Sequence, residues 1–197
     1  VLELLIFMLK DITPEHDAKL QQLVADLKNK FEHPINGNNK KVLIFTAFAD
    51  TANYLYEQLS GRILNDCGLH TALITGSTEG KSTLPRIKCS FNDILTYFSP
   101  VSKDRDAIHP NDTREIDVLI ATDCISEGQN LQDCDYLINY EIHWNPVRIN
   151  QRFGSIDRIG SRNEVIKLVN YGTDMELEEY TKLKGQAKSR MNGNTIR

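Results

Sequence analysis

Five short apolar runs constrain this chain more than any other feature: Lys40–Thr46, Thr71–Thr75, Val118–Ala121, Tyr136–Tyr140 and Val165–Tyr171. Each has the length and the branched or aromatic content of a buried strand, and polar sequence follows it. The segments between them are long enough to hold helices, as parallel neighbours require. The alternation predicts an α/β fold: an open, mainly parallel sheet in three layers, with helices on both faces. In such a sheet the loops at the carboxyl ends of the strands carry the function.

The intervening segments hold local start and stop signals. Thr13, Pro14 and Glu15 read as a helix start, followed by Leu20, Leu23, Val24, Leu27 and Phe31 on one face. Asp50 is placed to cap a helix that turns Ala52, Leu55 and Leu59 inward. Ile87, Phe91, Ile94, Leu95 and Phe98 can share a helical face, and Pro100–Arg114 alternates in charge as a solvated loop does. Asn145 is placed to cap a helix whose first residue is Pro146. On that helix Val147, Gln151, Gly154 and Arg158 share one face, while Ile149, Phe153 and Ile156 take the opposite one. A last helix is expected after Asp174, with Leu177, Tyr180, Leu183, Ala187 and Met191 in one stripe. The expected organisation is a helical extension over 1–39, one domain over 40–172, and a helix with a frayed tail over 173–197.

Composition narrows the partners. Lys and Arg number 23 against 27 Asp and Glu, a formal net charge of -4, so any attraction to nucleic acid must come from a local patch. Arg148, Arg152, Arg158 and Arg162 supply one candidate patch. The four cysteines show no C-x-x-C spacing and read as reduced, buried thiols; with five scattered histidines they give no metal site. Leu4–Leu9 is too short to span a bilayer, so no membrane partner is expected. The chain begins at Val and reads as a piece of a longer protein.

Gly76–Thr83 invites comparison with a phosphate-binding loop. Such a loop needs four residues between its first Gly and the Gly-Lys pair, so that successive amides surround the phosphates. Here three intervene, which disfavours a self-sufficient nucleotidase built on Lys81.

The stretch from Ile116 to Ser161 carries a family resemblance. Ala121-Thr122-Asp123, Glu127-Gly128 and Asn130-Leu131 are followed by Gln151-Arg152-Phe153-Gly154-Ser155-Ile156-Asp157-Arg158-Ile159-Gly160. These segments resemble motifs V and VI of the superfamily-two helicases and translocases, most of all the Swi/Snf-like branch. The strand at Lys40–Thr46 is similar to motif IV. One position departs: Ser155 stands where that family has an arginine.

The resemblance implies a C-terminal RecA-like lobe, and ATP with Mg2+ bound mainly by a separate N-terminal lobe of the same protein. Arg158 would reach the γ-phosphate as an arginine finger, and Gln151 would orient the phosphates or the partner lobe. Glu127, Gly128 and Asn130 would approach the nucleotide sugar, with Asp123 organising the motif V loop. Thr46, Ala47, Gly76, Ser77, Thr122 and Asp123 would meet nucleic acid, taken to be double-stranded DNA. The same likeness implies a cytoplasmic protein of the bacterial cytosol or nucleoid. Because serine cannot replace a guanidinium, a second reading stays open: a decayed lobe that only docks DNA or a protein.

Overall fold

The computed structural model describes residues 14–76, 79–125, 128–141, 146–157 and 161–171. Six strands form one sheet: β1 (Val42–Phe45), β2 (Thr71–Ile74), β3 (Lys81–Ser82), β4 (Val118–Ala121), β5 (Tyr136–Asn139) and β6 (Lys167–Asn170). Their order is β3-β2-β4-β1-β5-β6. All pairs are parallel except β2–β3, where Ala72 faces Ser82 and Leu73 faces Lys81. The expected three-layer, mainly parallel α/β architecture is therefore present, with a sixth strand beyond the five expected. β3 is two residues long and has no apolar run to announce it. Its pairing continues through Thr83, whose hydroxyl accepts from the Thr71 amide at 2.9 Å.

Side chains alternate across the sheet with the period of two that strands impose. Leu43, Phe45, Ala72, Ile74, Leu119, Ala121 and Leu137 point to one face. There they meet helix α3 (Phe91–Phe98) through Ile94, Leu95 and Phe98, and helix α5 (Pro146–Ile156) through Ile156. Val42, Ile44, Leu73, Val118, Ile120, Tyr136 and Ile138 point to the other face. They meet α1 (Ala18–Glu32) through Leu20, Leu23, Leu27 and Phe31, and α2 (Ala49–Cys67) through Ala52, Leu55, Leu59 and Ile63.

Three local expectations are corrected. Pro14–His16 form a single 3-10 turn, and α1 is capped by Asp17, whose carboxylate accepts from the Leu20 amide at 3.0 Å. Asp50 is not the cap of α2: Phe48 holds that position without a side-chain bond, and Asp50 lies in the first turn. The Pro100–Arg114 segment is more than a solvated loop. It includes the short helix α4 (Arg105–Ile108), and the buried Arg105 guanidinium donates to the Arg114 carbonyl at 3.1 Å. The expected helix after Asp174 and the cap at Asn145 lie outside the described residues, whereas α5 does begin at Pro146.

Helix α1 is bound to the sheet by a buried charge as well as by its aliphatic stripe. Lys30 Nζ donates to Asp135 Oδ1 at 2.7 Å and to the Asn39 carbonyl at 2.8 Å, with both charged side chains fully enclosed. Asn36 Nδ2 satisfies the second Asp135 oxygen at 2.9 Å. A buried pair survives only when its remaining valences are met.

Candidate functional site

The connection from β1 passes over β4 to reach β2, and the connection from β4 passes over β1 to reach β5. Chains leaving adjacent strands in opposite directions open a crevice at their carboxyl ends, the usual ligand position in such sheets. Thr46 and Ala47 stand on one side of this crevice and Thr122 and Asp123 on the other. The two sides are joined where the Thr46 amide donates to the Ala121 carbonyl at 2.9 Å. Gly76, after β2, is exposed beside Cys124, whose Cβ lies 3.5 Å from where a Gly76 side chain would begin.

Asp123 sits in a 3-10 turn and is the acceptor of two arginines. Arg152 Nε donates to Oδ1 at 2.6 Å and Arg148 Nη1 to Oδ2 at 3.2 Å. Arg152 is fully buried; Nη1 also donates to Asn139 Oδ1 at 2.8 Å and to the Glu141 carbonyl at 3.2 Å. Its guanidinium carbon stands 4.9 Å from the centre of the Phe45 ring. The expected surface patch of four arginines is thereby corrected: Arg152 is an internal strut, because its turn of α5 faces the sheet with Ile149 and Ile156. Arg148 keeps a side chain 45% exposed, and Arg162 is exposed.

At the other end of α5, the motif V segment is tied again. The Leu131 amide donates to the Ser155 carbonyl at 2.9 Å, and Leu131 is fully buried. Ser155 lies seven positions along the helix from Arg148, about 10 Å at 1.5 Å per residue. The segment from Asp123 to Leu131 thus starts and ends against one helix. Gly128, exposed at φ 71, makes the left-handed turn that a side chain would strain. Gln151 and Gly154 are half-buried on the turns between. Asn130 is half-buried, and its Oδ1 is enclosed without a hydrogen-bond partner. It borders an amide-rich cavity of about 650 Å3 at the amino ends of the strands, shared with Asn38, Asn39, Gln132 and Asn163.

Two expected positions are enclosed. Thr46 is fully buried and donates its hydroxyl to the Phe48 carbonyl at 3.0 Å. Ser155 is buried and donates to the Arg152 carbonyl at 2.7 Å. Arg158, Glu127 and Ser77 lie outside the described residues.

Lys81 lies in edge strand β3 with Nζ donating to Asn53 Oδ1 at 3.0 Å, and the next helix begins only at Phe91. The strand-loop-helix geometry of a phosphate loop is absent there. Among the described residues no group of three or more His, Cys, Asp or Glu side chains could hold a metal ion.

Cysteine burial also departs from expectation: Cys134 is enclosed, but Cys67 and Cys124 are exposed. Burial pushes the Cys134 thiol up to about 12. Partial burial also raises the Cys124 thiol, against the Thr122 hydroxyl that donates to its sulfur at 3.4 Å. Neither is poised as a thiolate nucleophile.

Several organising residues gave no sequence signal. Glu141 accepts from the Ala47 amide at 2.8 Å and from the Thr51 hydroxyl at 2.9 Å, fixing the start of α2. Asp133 accepts from the amides of Val101 and Ser102 at 2.7 and 3.0 Å, and Lys103 Nζ donates to Gln129 Oε1 at 2.8 Å. The polar loop before β4 therefore grips motif V.

A crevice at the carboxyl ends of a doubly wound sheet, bordered by a strap bound to one helix, defines a RecA-like lobe. Residues 18–160 match the helicase conserved C-terminal domain, and the chain belongs to that family. It is 46% identical over 66 residues to the uncharacterized ATP-dependent helicase YqhH of Bacillus subtilis (strain 168). That match takes in 34% of this chain and 12% of the relative's length. The C-terminal part of the Fun30 ATPase domain has a similar fold, with a TM-score of 0.54 at 19% identity over 82% of this chain and 44% of the other. The Pyrococcus furiosus Hef helicase domain gives 0.46 at 22% identity over 83% of this chain and 28% of the other.

Proposed function

We propose that the chain is the C-terminal motor lobe of an ATP-driven helicase or translocase, most like the Swi/Snf type and acting on double-stranded DNA in the cytoplasm. Family membership over 18–160 supports the helicase part of this reading. The observation that carries the mechanistic part is the motif V segment held to α5 at Asp123 and again at Leu131.

Phosphoryl transfer to water is catalysed chiefly by positioning and by neutralising charge on the terminal phosphate. ATP supplies the phosphoryl group when an N-terminal RecA-like lobe of the same protein holds it with Mg2+. In this reading Arg158, two residues past the end of α5, brings its guanidinium to that phosphate only when the lobes close. Gln151 orients the phosphates or the facing lobe, and Glu127, Gly128 and Asn130 border the sugar. Because α5 and motif V are tied at two points, closure on the nucleotide shifts Thr122 and Asp123 at the crevice. Ala47, Gly76 and Ser77 complete the strand-gripping edge. Thr46, being enclosed, contributes by shaping the turn at Ala47 and Phe48.

The test is turnover by a protein that joins this lobe to its N-terminal partner. Arg158→Ala is expected to lower nucleic-acid-stimulated ATP hydrolysis by about 10³–10⁵; unchanged turnover would overturn the finger assignment. The 197-residue chain alone is expected to release no phosphate from ATP. One observation favours the second reading, a decayed lobe that docks DNA or a protein: Ser155 is turned inward onto its own helix. Under that reading the two-lobe protein hydrolyses ATP no faster than its Arg158→Ala variant.

A further inference from the structure

The segment from Asp123 to Leu131 has a further point of attachment, and it comes from outside α5. Asp133, half-buried just past that segment, carries the turn that follows α3. Its carboxylate accepts from the Val101 and Ser102 amides at 2.7 and 3.0 Å and from the Ser102 hydroxyl. The same turn continues α3: the Ser99 amide donates to the Leu95 carbonyl at 2.9 Å and the Lys103 amide to the Ser99 carbonyl at 3.0 Å. Asp133 is placed in turn by a bend in which the Cys134 amide donates to the Leu131 carbonyl at 3.0 Å, with Leu131 and Cys134 both enclosed. Lys103 therefore starts from a backbone held on two sides. From there its Nζ donates to Gln129 Oε1 at 2.8 Å.

What that bond fixes follows from the neighbours of Gln129. Gly128 before it turns the chain at φ 71, and Asn130 after it is half-buried. A glycine crosses between backbone regions at little steric cost, so such a corner also serves as a hinge. The ties to α5 at Asp123 and Leu131 lie on either side of this corner and do not act on it directly. A hydrogen bond from an ammonium is stronger than one between neutral groups, and with both partners half-buried it is only partly screened. Lys103 thus pins the residue next to the hinge to a turn that α3 anchors in the core.

We infer that Lys103 is a positioning residue for the nucleotide: by holding Gln129 it sets Gly128 and Asn130 where they meet the sugar of ATP. The inference rests on the proposed nucleotide-facing role of Gly128 and Asn130, and it adds a residue that itself touches no substrate. It also gives the polar segment between α3 and β4 a task. Its turn carries Lys103 to motif V, so nucleotide affinity depends on a contact 26 residues away in the chain.

Steady-state ATP hydrolysis by the protein that joins this lobe to its N-terminal partner, with duplex DNA saturating, tests this. Lys103→Met is expected to raise KM for ATP about 3- to 10-fold, the low end for a bond to a charged group because both partners are half-exposed. Its kcat should stay within about twofold of the wild type. Lys103→Arg, which keeps a charged donor, is expected to keep the wild-type KM. Gln129→Leu removes the acceptor and leaves the ammonium; it should raise KM as far as Lys103→Met does, and the double variant no further. An unchanged KM in Gln129→Leu beside a raised one in Lys103→Met would mean that the ammonium acts on the nucleotide through its charge, and would overturn the proposal. A fall in kcat at constant KM would mean a merely loosened fold, and would overturn it too. If the wild type hydrolyses ATP and both single variants keep its KM, the positioning role fails while the motor reading stands. If the wild type hydrolyses none, both fall. Amide exchange in the 197-residue chain gives a readout apart from turnover. In Lys103→Met, exchange at Gly128, Gln129 and Asn130 should quicken about 3- to 10-fold while α5 is unchanged; an equal rise across α5 would count against the hinge.

Discussion

Arg152 and Asp123 meet through a 2.6 Å hydrogen bond from Nε to Oδ1, the arginine fully buried and the carboxylate side chain 14% exposed. The pair joins α5 to the turn after β4, and through Asn139 it reaches the end of β5. One side chain thus holds together three of the elements that border the crevice.

Removing the carboxylate leaves an enclosed guanidinium without its counter-charge. Asp123→Ala is expected to cost about 3–5 kcal/mol of stability, the usual penalty for breaking a buried pair from one side. Asp123→Asn keeps an acceptor for Nε and is expected to lose less, about 1.5–3 kcal/mol, the scale of a hydrogen bond to a charged group. Urea denaturation at unchanged slope measures both. Equal losses would mean that shape, not charge, fixes the turn.

A second prediction concerns α1. Lys30 and Asp135 are fully enclosed 2.7 Å apart, and Leu20, Leu23, Leu27 and Phe31 share a core with the sheet. Lys30→Met strands a buried carboxylate that Asn36 alone still serves, and about 3–5 kcal/mol should be lost. A chain begun at Pro34 exposes the α1-facing side of the sheet. It is expected to lose its cooperative melt, which near-ultraviolet circular dichroism would report. A sharp two-state transition in that shortened chain would show α1 to be dispensable.

The sheet was legible because its strands are continuous apolar runs with turns after them, a pattern that depends on neighbours only a few residues away. The motif segments were legible in the same way, as fixed spacings in one stretch. What escaped depends on contacts between distant residues. Whether Arg152 faces solvent or the sheet follows from the rotation of α5, fixed by partners 13 and 29 residues away at Asn139 and Asp123. The clamp of Glu141 on Ala47 spans 94 residues, and the Lys30–Asp135 pair spans 105. No periodicity carries such information. β3 escaped for another reason: two residues on a sheet edge need no apolar pattern to pair.

Two glycines are expected to respond with opposite sign. A Cβ at Gly80 would fall 2.5 Å from Ile94 Cδ1 and 2.7 Å from the Cys89 carbonyl oxygen. The backbone oxygen cannot rotate away, so Gly80→Ala should destabilise by about 1–3 kcal/mol, as overpacking does. Gly154 lies inside α5, and a Cβ there would have nothing within 4 Å. Gly154→Ala should stabilise by about 0.5–1 kcal/mol through helix propensity. Paired thermal melts decide this; a destabilised Gly154→Ala would place an unrecognised neighbour against that turn.

Two aspartates in the segment leading into β4 set opposite pH dependences. Hydrogen bonds from the Arg114 guanidinium hold the Asp112 carboxyl far below its ordinary range, against a smaller opposing effect of burial. A depressed folded-state value adds stability that is complete above the unfolded value, about 3.9. That stability is lost as pH falls toward the folded value. Burial instead raises Asp117, against the His70 amide that donates to it at 3.0 Å. Its charge then costs stability, which is recovered only as pH drops through the raised value and the group takes up its proton. At pH 7, Asp112→Asn should therefore melt below the wild type, while Asp117→Asn, which keeps an acceptor for His70, should melt at or above it. Near pH 3 the Asp117→Asn advantage should vanish, because the wild-type carboxyl is then neutral in both states. Melts across this range for both variants test the assignment. A penalty at pH 7 from Asp117→Asn as large as that from Asp112→Asn would show that the Asp117 charge stabilises the fold.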